Sequence, residues 1–225
     1  SWRRSPWRAG RRCSRTGLRV QCPCPLTTLR GNLGLLRRTP PPEEQADILN
    51  DMVEESDRLI RLVNDLLVLA RADTGRALAK ESIDVSALVD ETGRQARQLD
   101  PERQIQLDVS PDLNILGDRD SIKQILLIAL DNALKHSSGD INVSAKLQGK
   151  QIQIRVQDFG EGIPHEKLEH IFDRFYRGND ASTTLGFGLG LPIAKSLVER
   201  QAGTIRMESA LGKGSVLILD FPSAD

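Results

Sequence analysis

The sequence predicts an α+β protein, a two-layer α/β sandwich preceded by a helical hairpin that dimerises as a four-helix bundle. Three observations predict it. Apolar residues recur at spacings of three and four from Glu43 to Arg71, the mark of a bundle seam. A short strand pattern at 105–109 and a clear hairpin pattern at 141–156 follow later. Helical stretches then interleave with strands that pair antiparallel, which puts the helices on one side of a sheet.

The elements follow in order. Residues 26–38 place Leu26, Leu29, Leu33 and Leu36 on one helical face, and Thr39-Pro40-Pro41-Pro42 stops that helix. The second helix carries Leu49, Met52, Ser56, Leu59, Val63, Leu66 and Ala70 along its seam, widened by Ile48, Ile60 and Leu67. A hairpin of two helices cannot bury both apolar faces alone, so a homodimer through residues 26–71 is expected. Ala72 to Gly75 ends the hairpin, and a linker is expected over 73–81. Ser86 is the expected N-cap of a helix reaching Gln98. Ile105, Leu107 and Val109 alternate as a strand, and Asp118 to Lys135 reads as a buried helix. Residues 141–147 and 152–156 form a hairpin over Gln148-Gly149-Lys150. In its second strand Ile152, Ile154 and Val156 face one way and Gln151, Gln153, Arg155 and Gln157 face the other. Pro164 opens a short helix, Leu191 to Gln201 forms another that Gly203 stops, and strands at 204–209 and 215–221 close the chain.

Composition divides the 225 residues at one point. Residues 1–24 hold seven arginines, no acid, both tryptophans and all three cysteines; the remainder carries 24 basic and 31 acidic residues, a net of −7. That balance excludes a general nucleic-acid binder and does not favour membrane contact by this portion. The longest purely apolar run, Ile125 to Leu130, is too short to span a bilayer. Cys13, Cys22 and Cys24 have no second ligand pair for a zinc site. Residues 1–24 show no helical or strand period and are expected to be unstructured or foreign to the rest of the chain.

Four clusters in the C-terminal part carry chemistry. Asn132, Lys135 and His136 end a helix, where a carboxamide oxygen and an ammonium one turn apart suit a phosphate-bound Mg²⁺ and its oxygens. Asp158, Gly160, Gly162 and Ile163 follow a strand; such an Asp can accept from an exocyclic amine while glycines let backbone approach a planar ring. Ile171 to Arg177, with Tyr176 and Arg177, gathers half the aromatic residues found outside residues 1–24. Gly186, Phe187, Gly188, Leu189 and Gly190 precede a helix, where exposed N–H groups and the helix dipole favour phosphate. This is neither a P-loop nor a Rossmann fingerprint, because no GxxxxGK[ST] occurs and position 191 is Leu. Each cluster also has an ordinary structural reading: helix caps, a turn with a surface Asp, a core aromatic group.

Taken in order and spacing, the four clusters resemble those of the sensor histidine kinases of two-component signalling, in the superfamily shared with Hsp90, gyrase B and MutL ATPases. The resemblance covers roughly residues 25–225, with Gly212-Lys213-Gly214-Ser215 similar to a closing motif. It implies an ATP-binding catalytic domain over 82–225 after a truncated dimerisation hairpin over 25–72. It implies that Asn132 holds Mg²⁺, that Lys135 and His136 contact phosphate, and that Asp158 holds the adenine amine, with Gly160, Gly162 and Ile163 alongside. Asp173 to Leu185 becomes a mobile lid with Tyr176 and Arg177 near it, Gly186 to Gly190 the phosphate cradle, and Ser215 a further contact. The implied reaction is ATP-dependent phosphorylation of a protein histidine, then transfer to an Asp on a response regulator receiver domain. The implied setting is the cytoplasmic portion of a parent that, in most relatives, is anchored in the plasma membrane.

Two positions depart from the family pattern. The hairpin of these kinases carries H-E-L-R-T-P-L, and this chain joins it only at Pro25-Leu26, so the phosphoacceptor position is Val20. The three histidines are His136, His165 and His170, all in the second domain. The motif break and the compositional seam coincide at residue 24, as a shifted frame or wrong start joined to a kinase body would produce. The expectation is a chain that lacks its own phosphoacceptor and does not phosphorylate itself. The alternatives are the ATP-binding half of a split kinase acting in trans and a non-catalytic ATP-sensing scaffold. The second departure is Ile128, where related ATPases place an acid; it cannot act as a base, and on a buried helix it also reads as core.

Overall fold

The computed structural model describes residues 25–73, 80–177 and 187–224. The expectations for residues 1–24, most of the linker, and the greater part of the lid with Gly186 lie outside them. The chain divides into two compact units, Ser1–Leu59 and Ile60–Asp225, with the division inside the second helix.

The first unit holds α1 (Pro25–Leu36) and the beginning of α2 (Pro42–Asp73). Thr39 adopts a left-handed conformation (φ 52°) before the prolines. Pro42 then opens α2, where its missing N–H costs nothing, and Glu43 and Glu44 sit favourably in the first turn. Ile48 is buried, whereas Leu26, Leu33, Leu49 and Val53 are exposed.

The second unit begins with the last turns of α2, which belong there because Leu69 enters its core and Leu62 and Val68 pack against it. Five strands lie in the order β2 (Ile105–Val109), β4 (Ile141–Gln148), β5 (Gln151–Asp158), β7 (Gly214–Pro222), β6 (Thr204–Ala210). Among the described strands only β2 and β4 run parallel. Helices α3 (Val85–Leu99), α4 (Arg119–His136) and α6 (Gly190–Arg200) supply one side of the core, through residues such as Leu88, Ile125 and Ile193. Ile141, Ile154, Leu219 and Phe221 supply the other. This is the α+β sandwich expected. Among the described residues no helix is long and apolar enough to cross a membrane.

Several local details differ from expectation. A second sheet pairs β1 (Glu81–Asp84) with β3 (Asn114–Gly117), two strands too short to show alternation. The N-cap of α3 is Asp84, not Ser86: its carboxylate accepts from Ala87 N at 3.1 Å, a stronger acceptor placed where β1 ends. Gln153, which alternates with Ile152 and Ile154, is only 5% exposed: its amide N–H donates to Asp220 Oδ1 at 2.8 Å and its amide oxygen accepts from Gln148. The left-handed residue after α6 is Ala202 (φ 57°), with Gly203 N–H closing the turn onto Val198 O at 3.0 Å.

Candidate functional site

The order of strands brings Asp158 to the middle of one sheet end. It closes β5, opposite Ile141 of β4 and Ser215 of β7. The residue is 6% exposed. Its Oδ1 accepts two backbone bonds, from Gly160 N at 2.9 Å and Ser215 N at 3.3 Å. Burial pushes its pKa above the usual carboxylate value, and those two bonds, His136 and Arg103 act in the opposite sense.

The turn after Asp158 is pressed against the end of α4. A Cβ at Gly160 would lie 2.3 Å from the His136 carbonyl oxygen, so no other residue fits without moving backbone. Gly162 abuts Ala210 of β6, and Glu161 O accepts from Gly212 N at 2.7 Å. Ile163 N–H donates to Ser209 Oγ at 2.7 Å, and Ser209 Oγ lies 2.9 Å from Ser215 Oγ. The first glycine cluster and the Gly212–Ser215 motif thus form one hydrogen-bonded unit around Asp158.

Helix α4 starts at Asp118, whose carboxylate caps Ser121 N at 2.8 Å, and its final turn carries the first cluster. Asn132 is half-buried. Lys135 Nζ pairs with Asp131 Oδ2 at 2.6 Å, one turn back. His136 has some exposed surface, and the partial burial of its ring holds its pKa below the ordinary value, against the pull of Asp158. Asp65, on the last turns of α2, has its pKa raised by burial and lies within the field of Lys135 and Arg61. Ile128 packs against the core, and a Cβ at Gly190 would touch it at 3.4 Å.

The third and fourth clusters meet. Phe175 N–H donates to Gly188 O at 3.0 Å, and Gly188 (φ 69°) comes so close to Tyr176 that a Cβ would lie 2.4 Å from its carbonyl oxygen. Phe172 packs on the core with Lys195 Nζ 5.8 Å above its ring; Tyr176 tilts against His170 at 5.6 Å. Arg177 is half-buried, and Phe187 packs on the core. Leu189 is 1% exposed, so its side chain is core and only its backbone can face a ligand. Gly190 opens α6 and leaves the first N–H groups of that helix without intrahelical partners.

The candidate site residues thus come from α4, the turn after β5, the start of α6 and β7. A separate open groove of about 370 Å³, lined by Ile163, Pro164, His165, Glu166, Ser209, Ala210 and Leu211, shares only Ile163 with the expected set. Among the described residues no group of three His, Cys, Asp or Glu side chains is placed to hold a metal. Two contributors carried no sequence signal. Gln201, 2% exposed, accepts from Asp118 N at 3.1 Å and so ties the start of α4 to the end of α6. Arg103 bonds Ser137 at the end of α4, 34 positions away.

Comparison with known proteins places this arrangement. Residues 24–75 match the family described as "His Kinase A (phospho-acceptor) domain", and residues 117–225 match "Histidine kinase-, DNA gyrase B-, and HSP90-like ATPase". The signal transduction histidine-protein kinase ArlS of Staphylococcus epidermidis is 33% identical over 206 residues, 88% of this chain and 45% of that protein. ArlS of Staphylococcus aureus (strain USA300) is 32% identical over 205 residues, 88% of this chain and 46% of that protein. Full-length ShkA, solved in complex with AMPPNP, superposes with a TM-score of 0.71 at 28% identity, over 88% of this chain and 43% of that one. Acinetobacter baumannii histidine kinase AdeS shares the fold, with a TM-score of 0.73 at 24% identity, over 89% of this chain and 96% of that one.

A helical hairpin followed by this ATPase-type sandwich defines a two-component signalling kinase module. The chain belongs to the sensor histidine kinases. It spans less than half the length of the curated relatives it matches. The expectation that the phosphoacceptor segment is missing is not borne out: the hairpin matches the phospho-acceptor domain from residue 24 onward. Within residues 24–75 the sequence contains no histidine, and Val20 lies before the match.

Proposed function

We propose that this chain binds Mg·ATP in its C-terminal domain and is the catalytic part of a protein-histidine kinase. The phosphoryl group passes to a histidine and then to an Asp of a response regulator receiver domain. The observation that carries this reading is Asp158, a buried carboxylate whose two described hydrogen bonds both fall on Oδ1. Oδ2 is then the acceptor for the adenine amine, and Gly160 keeps the neighbouring backbone flat against α4.

The residues present fit the rest of the nucleotide. Lys135 and His136 meet phosphate oxygens, with Asp131 holding the lysine in place. The N–H groups at the start of α6, after Gly186, Phe187, Gly188 and Leu189, cradle the phosphates. Tyr176, Arg177, Ile163 and Ser215 complete the surround. The Asn132 carboxamide oxygen would hold Mg²⁺, which keeps several waters and binds substrate phosphates, and the ion would supply charge neutralisation there. Ile128 removes any base at its position, so hydrolysis of ATP by water is slow and the phosphoryl group is kept for the acceptor.

The acceptor histidine comes from elsewhere than residues 24–75, which contain none. The chain therefore does not phosphorylate itself and works in trans on a hairpin that carries the histidine. The exposed Leu49, Val53, Val63 and Leu66 of α2 fit a homodimer. A need for ATP fits a cytoplasmic setting for this portion. The scaffold reading differs in one observable: with Mg·ATP bound and a histidine-bearing hairpin fragment supplied, a kinase moves the γ-phosphoryl group to the histidine and leaves ADP, whereas a scaffold transfers nothing. Titration calorimetry with ADP and Mg²⁺ tests binding, and labelled γ-phosphate with that fragment tests transfer; binding without transfer selects the scaffold.

A further inference from the structure

We propose that Arg103 is a positioning residue for the nucleotide site, acting through the end of α4 on the turn that holds Asp158. This rests on the reading of Asp158 as the adenine acceptor.

Arg103 lies in the connection between α3 and β2, outside all four clusters, with a side chain only 13% exposed. Its Nε pairs with Asp100 Oδ2 at 3.3 Å, Nη2 donates to the Ser137 carbonyl oxygen, and Nη1 reaches Ser137 Oγ at 3.4 Å. Asp100 is the C-cap of α3 and Ser137 the C-cap of α4. One planar guanidinium therefore joins two helix ends, and its charge sits where the α4 dipole favours a cation.

That junction is the base on which the site turn rests. A Cβ at Gly160 would lie 2.3 Å from His136 O and 3.1 Å from Ser137 Cβ, so the turn has no clearance from the α4 end. Gly160 N–H in turn fixes Asp158 Oδ1 at 2.9 Å. A second path exists through the backbone: Ile141 N–H donates to the carbonyl of Gln104 at 3.0 Å, and Ile141 is the cross-strand partner of Asp158. Both routes from the Arg103 segment converge on the same carboxylate. A guanidinium fork is needed to meet two Ser137 oxygens and Asp100 together, which Lys cannot do.

The test is a double-mutant cycle on ADP affinity, read by competition against a fluorescent ADP analogue, with the whole chain, Arg103→Gln, Arg103→Lys, Asp158→Asn and the doubles. Unfolding midpoints are recorded alongside. Arg103→Gln is expected to weaken ADP about tenfold, the worth of charge-assisted bonds. Arg103→Lys recovers part of the loss. On the Asp158→Asn background Arg103→Gln costs less than about twofold, the signature of coupled residues. Should Arg103→Gln not fold, Arg103→Lys carries the cycle, with about a threefold loss expected that vanishes beside Asp158→Asn. Unchanged affinity in the folded variants, or a loss that persists in full on the Asp158→Asn background, overturns the proposal. Failure of the unaltered chain to bind ADP overturns the nucleotide reading itself, and this one with it.

Discussion

A Cβ on residue 160 would stand 2.3 Å from the carbonyl oxygen of His136, so at this point the turn after β5 meets the last turn of α4 backbone to backbone. The contact joins two of the motifs that define the family. It also makes Gly160→Ala a sharp probe, because the obstacle is main chain rather than a flexible side-chain tip. Overpacking of this kind costs about 1–3 kcal/mol, or roughly 3–10 °C in the unfolding midpoint of a chain this size. The variant is expected to lose ADP binding by more than that stability loss explains, since either the turn or α4 must shift. Calorimetry at a temperature well below both midpoints checks it; native affinity in Gly160→Ala would show that the contact does not set the site.

Asp158 separates stability from function. Burial raises its pKa in the folded protein above the ordinary value. An acid with a raised folded pKa contributes most to stability below its unfolded pKa, and that contribution is lost as pH rises through the folded pKa. At neutral pH the charged group is therefore a cost to the free protein. Asp158→Asn is expected to leave the unfolding midpoint at pH 7 unchanged or higher while weakening ADP about 10- to 100-fold. ADP affinity of the native chain is expected to fall, on acidification, at a higher pH than an ordinary Asp would give, and this acid limb should vanish in Asp158→Asn. A variant both less stable and still tight-binding would refute the assignment.

Along α2, Val63 is 53% exposed and Leu66 43% exposed, an apolar run that water does not favour. Val63→Glu is expected to cost the dimer about 1.5–3 kcal/mol, the worth of one buried aliphatic side chain, and so to weaken association by ten- to a hundredfold. ADP binding should be unaffected, because the residues proposed to hold the nucleotide lie outside α2. Sedimentation at a series of concentrations measures the shift. An unaltered chain that is already monomeric at tens of micromolar would contradict the bundle.

What could be read before the structure was known follows from where the constraint lies. Asp158, Gly160, Gly188 and Gly190 were legible because close backbone approach and a helix start admit few residue types, and those types stand at fixed order along the chain. The core faces of α4 and β5 were legible from periodicity. The strands β1 and β3 were not, since four residues such as Asn114–Gly117 hold too little alternation to distinguish a strand from a turn. The burial of Gln153 was not legible because it depends on Asp220 of the next strand taking its amide. Arg103 and Gln201 could not be found at all: each acts through one long-range hydrogen-bonding partner, and nothing in their local sequence encodes it.

The central claim is that the ATP domain is competent while the hairpin of this chain supplies no acceptor. The most direct measurement is incubation with γ-labelled ATP and Mg²⁺ of the chain and of a variant carrying Arg19→Ser, Val20→His, Gln21→Glu, Cys22→Leu, Pro23→Arg and Cys24→Thr. Acid-labile, base-stable label in the variant alone is the predicted result. Label on the unaltered chain, or on neither although both bind ADP, would contradict it.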